Sequence, residues 1–204
     1  MTYDLDFKKN IRHALQLELP YQGRSHQGSR VELQSASVLV LFGVNERDQI
    51  HLLFVRRADH ISVHQGQMAF PGGRVEGSDQ GDPTKTALRE TEEEVGIPPH
   101  QVEILGKLPL LHTVTGFEVE PVVGILRARV ERVNLVIDLQ ELAEAIWIPL
   151  EELLDASAYH EEVFRREDQD VLISIYSVRG YRIWGATGVM TKNLLDRYCK
   201  RRSE

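Results

Sequence analysis

Strands and helices follow one another along this chain in an order that predicts an α/β (α+β) fold, an α/β/α sandwich around a mixed β-sheet. Three observations predict it. The apolar runs 37–44 and 50–55 flank the polar tetrapeptide Asn45-Glu46-Arg47-Asp48 and read as a strand hairpin. A helix follows with both ends marked: Asp82 as N-cap, Pro83 at the first helical position, and Gly96 before Pro98-Pro99 as the stop. Further strand-like runs at 102–111 and 117–130 come after it, and a helix over 189–198 closes the chain.

The remaining elements fit between these. Leu5, Ile11, Leu15 and Leu19 recur at helical spacing over residues 4–19, and Pro20 ends that run. Residues 23–30 form a polar, glycine-containing loop. Residues 139–146 read as a short helix or the approach to a strand, and 150–154 as a helical turn. The runs 171–178 and 181–184 form a hairpin through Arg179-Gly180. A length of 204 residues fits one domain with a full core, no linker divides it, and residues 1–30 read as its helix-and-loop extension.

Composition narrows the function classes. A hydrophobic content of 42% is ordinary for a globular protein, and no apolar run approaches the length of a membrane span. The first ten residues carry acidic side chains and no apolar signal core. With the single Cys199 this predicts a cytoplasmic protein. A net charge of −7 argues against a nucleic-acid groove. A small anionic substrate remains compatible, because a bound cation reverses the local sign.

The chemistry concentrates at Arg89-Glu90-Thr91-Glu92-Glu93-Glu94-Val95-Gly96-Ile97. Like charges at helical spacing repel, and a glutamate-rich helix taken alone reads as a solvated face. At about 100° per residue, Ala87, Leu88, Thr91 and Val95 form the core stripe. Glu90, Glu93 and Glu94 converge on an adjoining face, and Glu92 lands on the far side of the stripe. Arg89 lies four residues from Glu93 and can pair with it. Converging carboxylates suit divalent cations. Upstream, Pro71-Gly72-Gly73 reads as a loop whose backbone admits phosphate. Carboxylates beside such a loop form the layout for metal-assisted cleavage of a phosphoanhydride.

These residues resemble the signature of the Nudix hydrolases, which cleave nucleoside diphosphates linked to another moiety. Gly73 fits the first glycine of that pattern and Arg89–Ile97 its second half. Asp79 stands where the first glutamate belongs, Thr91 replaces a hydrophobic residue, and two extra residues fall within Gln80-Gly81-Asp82 before the helix, where insertion costs little. Arg57, Ala58, Gly66, Phe70, Pro71, Gly72 and Gly73 are similar in register to the element that marks the coenzyme A diphosphatase branch. In that element Ser62 takes the place of a second arginine, with Arg56 as an alternative phosphate contact. Val114-Thr115-Gly116-Phe117, Pro121-Val122-Val123-Gly124, Glu141 ahead of Ile148-Pro149-Leu150, and Ile183-Trp184-Gly185-Ala186-Thr187 extend the resemblance over about residues 35–195.

The resemblance implies a Nudix-type sandwich and a Mg²⁺ or Mn²⁺ cofactor held by Glu90, Glu93 and Glu94. Catalytic roles are expected for Glu93 or Glu141 as the base and for Arg89 as the holder of the glutamates. Substrate contacts are expected at Arg57, Gly72, Gly73 and Thr115. The implied partner is a small-molecule diphosphate such as coenzyme A or an acyl derivative, with no nucleic acid and no membrane; a homodimer is compatible with the sequence. The same chemistry on ADP-ribose, NADH or a dinucleotide stays open through Ser62, as does a nucleotide-binding module without catalysis. His64 and His112 read as structural in preference to catalytic, Thr115-Gly116 equally as a turn, and Trp147 and Trp184 as core-edge aromatics.

Overall fold

The computed structural model describes residues 2–19, 33–60, 65–166 and 169–202. The chain runs α1 (Thr2–Gln16), β1 (Gln34–Val44), β2 (Ile50–Arg57), β3 (Met68–Ala69), β4 (Gly72–Arg74), α2 (Pro83–Val95), β5 (Val102–Lys107), β6 (Leu111–His112) and β7 (Phe117–Arg129). It continues through β8 (Leu142–Pro149), α3 (Leu150–Leu154), β9 (Tyr159–Arg166), β10 (Gln169–Val178), β11 (Tyr181–Ile183) and α4 (Gly185–Arg202). The larger sheet has the order β3-β2-β1-β7-β5, with β4 also beside β1, β6 beside β7 and β8 beside β2. It is mixed: β1 and β7 run parallel from Gln34↔Phe117 onward, and the other pairs are antiparallel. A smaller antiparallel sheet has the order β11-β10-β9.

The alternation of side chains along β1 and β2 builds two cores. Leu39, Leu41, Leu53 and Val55 meet Ala87 and Val95 of α2. Val40, Phe42, Leu52 and Phe54 meet Phe7 and Ile11 of α1 and Met190, Leu194 and Leu195 of α4. The Phe7 and Phe42 rings touch edge to face at 5.1 Å. A strand buried on both faces reads as an unbroken apolar run, which is why β1 is so plain in the sequence. Helix above, sheet between and helices below make the α/β/α sandwich. None of the described helices is long and apolar enough to cross a membrane.

Several elements differ from their sequence reading. Helix α1 ends at Gln16 rather than at residue 19, and its inward stripe is Phe7, Ile11 and Ala14, while Leu5 is 70% exposed. The expected stop at Pro20 and the loop 23–30 lie outside the described residues. The run 102–111 divides into β5 and β6, because Pro109 offers no N–H to a ladder. Residues 139–141 form a turn, and β8 starts at Leu142. Gly72 and Gly73 lie in β4 instead of an open loop, paired with Val38 and Ser37 of β1. Strand β9 was not apparent in the sequence, since its exposed Glu161, Glu162 and Arg165 hide any alternation.

Candidate active site

Helix α2 begins and ends where the sequence places its caps. Asp82 Oδ1 accepts the Thr84 N–H at 2.9 Å. At the other end Gly96, at φ +74°, donates its N–H to Glu92 O at 2.9 Å. The two extra residues are absorbed by Gln80 and Gly81, both in the left-handed region at φ +56° and +71°. The helix therefore keeps its register. Glu94 faces inward, Glu90 is partly buried, and Glu92 and Glu93 are exposed.

Arg89 organises the acidic face. Its Nε and Nη2 donate to Asp79 Oδ1 and Oδ2 at 3.0 and 3.1 Å, a two-pronged pair, and Nη2 also reaches Arg74 O at 3.2 Å. Its Nη1 lies 2.9 Å from both Glu90 Oε1 and Glu93 Oε2. Asp79 is buried and also accepts the Thr86 hydroxyl at 2.9 Å and the Glu76 N–H at 2.8 Å. The Arg89 guanidinium and these donors hold the Asp79 carboxyl well below the usual carboxylate range. Sequence reasoning gave Arg89 its partner Glu93 but missed Asp79 and Thr86. The one available signal was the place of Asp79 in the family pattern, since a contact spanning ten residues has no helical spacing to betray it.

Both glycines of β4 are required by close contacts. A Cβ on Gly73 would lie 2.4 Å from Glu90 Oε1 and 2.6 Å from Oε2, so the missing side chain makes room for that carboxylate. A Cβ on Gly72 would lie 2.3 Å from Ser37 O on the neighbouring strand. The Gly72 N–H points into the site and donates to Glu94 Oε2 at 3.0 Å. The glycines thus serve first to seat two glutamates against the sheet.

Glu94 is 4% exposed. Burial pushes its carboxyl up to about 8, the Gly72 hydrogen bond opposes this, the Glu90 and Glu141 charges add to it, and Arg57 works against it. Glu90 is raised by burial, partly offset by Arg89, with Glu93 and Glu141 adding to the rise. Glu141 is therefore within electrostatic reach of both. A strap of chain carries it there: Val136 N–H bonds Val95 O and Asp138 N–H bonds Glu94 O, each at 3.0 Å, occupying carbonyls that the end of α2 leaves free. The strap then returns to β2, where the Ala58 N–H donates to Glu141 O at 2.8 Å. Next to it Arg57 has its Nε buried with no hydrogen-bond partner among the described residues.

Other expected residues fall elsewhere. Thr115 sits in the β6–β7 turn, its hydroxyl 3.0 Å from Thr113 Oγ1, and among the described residues no bond joins it to the α2 cluster. His112 pairs with Glu118 at 2.9 Å across the β6–β7 ladder. Arg56 points to the opposite face of β2 from Arg57 and is held by Glu144 at 2.6 Å. Ser62 and His64 lie outside the described residues. Trp147 packs over Gly43, whose Cβ would meet its ring at 2.7 Å, and Trp184 carries the Arg182 guanidinium 5.8 Å above its centroid.

Among the described residues no three His, Cys, Asp or Glu side chains are gathered into a ready-made metal shell. Glu90 and Glu93 are drawn to Arg89, and Glu94 to Gly72. The donors are nonetheless all carboxylate oxygens, and Glu90 and Glu94 share an excess of buried negative charge. An oxygen-preferring divalent cation offsets that excess, so the residue set fits one.

Known proteins resemble this chain over most of its length. The NUDIX domain model matches residues 33–166. The chain is 39% identical over 166 residues to a protein of Enterobacter sp. (strain 638) named "Uncharacterized Nudix hydrolase NudL", covering 81% of this chain and 84% of the relative. It is 37% identical over 183 residues to the protein of the same name in Yersinia pestis (strain Pestoides F), covering 88% of each. Among solved structures, a MutT protein from Methanosarcina mazei Go1 matches with a TM-score of 0.55 at 18% identity, over 87% of this chain and 100% of that one. A MutT/nudix family protein from Enterococcus faecalis matches at 0.53 and 20% identity, over 97% and 72%. These two likenesses concern the fold.

Proposed function

Because the chain belongs to the Nudix hydrolase family, we propose that it hydrolyses the diphosphate linkage of coenzyme A or an acyl-CoA to 3′,5′-ADP and (acyl-)4′-phosphopantetheine. Nudix hydrolases act on nucleoside diphosphate derivatives and generally use a divalent metal; coenzyme A is the finer reading. The observation that carries it is Arg57. Its buried Nε lacks a partner, its charge acts on Glu94, and it opens the segment through Phe70-Pro71-Gly72-Gly73 that resembles the coenzyme A diphosphatases. A cation with an unmet donor beside the carboxylates suits a bound diphosphate.

Glu90, Glu93 and Glu94 would hold Mg²⁺ or Mn²⁺. Such an ion, when bound, polarises a phosphoryl oxygen and lowers the pKa of a water molecule. Arg89 holds the Glu90 and Glu93 carboxylates, with Asp79 fixing the guanidinium from behind. Arg57 meets the negative charge of the diphosphate, and Gly72 and Gly73 keep the backbone close to it; a substrate contact at Thr115 rests on the resemblance alone. Glu93 or Glu141 takes the proton of the attacking water as its oxygen joins phosphorus and the bond from phosphorus to the bridging oxygen breaks. We read residues 1–204 as one such domain, acting in the cytoplasm.

The test is turnover of coenzyme A against ADP-ribose, NADH and a dinucleotide, with and without Mg²⁺ or Mn²⁺. Coenzyme A is expected to be hydrolysed fastest, and only with the metal. Equal or faster turnover of another compound overturns the substrate, and Ser62 in place of an arginine is the feature that favours that second reading. The retention of Glu90, Glu93 and Glu94 argues against a binding module that has lost catalysis.

A further inference from the structure

The small sheet ends in β9, which pairs with β10 on one side and, among the described residues, with no strand on the other. A free strand edge presents unpaired N–H and C=O groups and is a template for another chain. This edge also carries apolar side chains in the open: Val163 is 63% exposed, its register partner Leu172 on β10 is 59% exposed, and Phe164 is 55% exposed. Yet the strand is not uniformly apolar. It reads Tyr159-His160-Glu161-Glu162-Val163-Phe164-Arg165-Arg166, acidic before the apolar pair and basic after it.

Two copies joined edge to edge in antiparallel fashion are related by a two-fold axis normal to the sheet, so every contact occurs twice. Such an axis preserves faces, and paired residues must share a face, so the axis has to pass beside one residue paired with its own copy. Centring on Glu161, Glu162 or Arg165 places like charges opposite each other, which is unfavourable. Centring on Phe164 places Val163 opposite an arginine. Centring on Val163 places Val163 against its own copy and Glu161 opposite the partner's Arg165, twice; it also sets Glu162 opposite the partner's Phe164. It is favoured over Phe164 because Leu172, the exposed neighbour of Val163, lengthens the apolar row, whereas Val171 beside Phe164 is only half-exposed. In that register Leu172, Val163, and their two copies form a continuous apolar row across the seam, flanked on both sides by opposite charges. Arg165 faces Asp170 across the β9–β10 ladder but makes no hydrogen bond or ion pair with it or with another described residue.

We propose that the chain forms a two-fold homodimer through β9 in the register centred on Val163. The partner is a second copy of this chain, selected by the order of charges along the strand. The charges also exclude other edges, since a strand without the matching acidic-apolar-basic order meets like charges or buries an unpaired one. A contact of this length is small beside the ~1,600 Å² of a typical stable interface. The dimer is therefore expected to dissociate in the micromolar range.

The experiment is sedimentation equilibrium of the full chain and of three variants. Glu161→Arg alone and Arg165→Glu alone are each expected to weaken association about tenfold or more, because each sets like charges face to face twice. The double variant Glu161→Arg/Arg165→Glu restores opposite charges in swapped order and is expected to dimerise again. Mixing the two single variants is expected to give a heterodimer, since each chain then complements the other. A wild-type chain that stays monomeric through the micromolar range overturns the proposal. So do single variants that associate like wild type, which places the dimer on another surface, and single variants that do not recover when mixed.

Discussion

Glu94 lies almost wholly out of water, with burial and like charges outweighing the hydrogen bond from Gly72 and the pull of Arg57. Its carboxyl is held at about 8 in the folded chain against an ordinary 4.5. Between those values the folded state binds a proton that the unfolded state has released, so folding stability falls as pH rises from about 4.5 to 8. Without divalent cation, the melting temperature is expected to drop across that window, and Glu94→Gln is expected to flatten the drop. Added Mg²⁺ or Mn²⁺ is expected to raise the melting temperature more at pH 8 than at pH 5, because the cation competes with the proton for the same oxygens. An equal cation effect at both values would remove Glu94 from the ligand set. The same variant is expected to lose hydrolysis by about two orders of magnitude or more while keeping its fold. Asp79 works in the opposite sense: its carboxylate is stabilised by Arg89, so Asp79→Ala removes the two-pronged partner of Arg89 Nε and Nη2, leaving Glu90 and Glu93 on Nη1. Losing that partner is expected to cost about 2–3 kcal/mol in urea unfolding and to loosen the hold of Arg89 on Glu90 and Glu93.

At the scale of elements, β4 separates two roles that the pair Gly72-Gly73 merges in the sequence. Gly72→Ala drives a Cβ into backbone, Ser37 O at 2.3 Å, which cannot move without shifting β1. A loss of about 2–3 kcal/mol in stability is expected. Gly73→Ala meets only the movable end of Glu90, so stability should change by less than about 1 kcal/mol while hydrolysis falls as Glu90 is displaced. Comparing melting temperature and kcat for the two variants checks the division; a matching pattern in both would refute it. The helix bearing Arg89 and the glutamates was legible because caps and 3.6-residue periodicity are local signals, and Asp82, Pro83 and Gly96 supply them all. β1 and β2 were legible as apolar runs. What could not be read is what depends on distant partners. The seat that Gly73 gives Glu90, the Asp79–Arg89 pair and the edge strand β9 are set by packing across the fold, not by neighbours along the chain.

Across the whole molecule, the sheet divides the protein into a side rich in carboxylates and a side covered by two helices. The α2 face carries the carboxylates, and α1 and α4 cover the other face. The strap over residues 133–141 crosses to the α2 side and delivers Glu141 to the cluster by backbone bonds, Val136 and Asp138 to the last turn of α2 and Glu141 to Ala58. Main-chain bonds are indifferent to which side chains the strap carries, but Val133, Leu135 and Ile137 pack against the core on the α2 side and Val136 approaches Gly96 closely, so these positions are constrained. The exposed positions Asn134, Leu139 and Gln140 can therefore change in sequence while the strap still presents an acidic residue at its far end. In evolutionary terms those exposed positions are where the strap can vary: a lineage can alter the surroundings of Glu141 there without disturbing the helix that carries Glu90, Glu93 and Glu94.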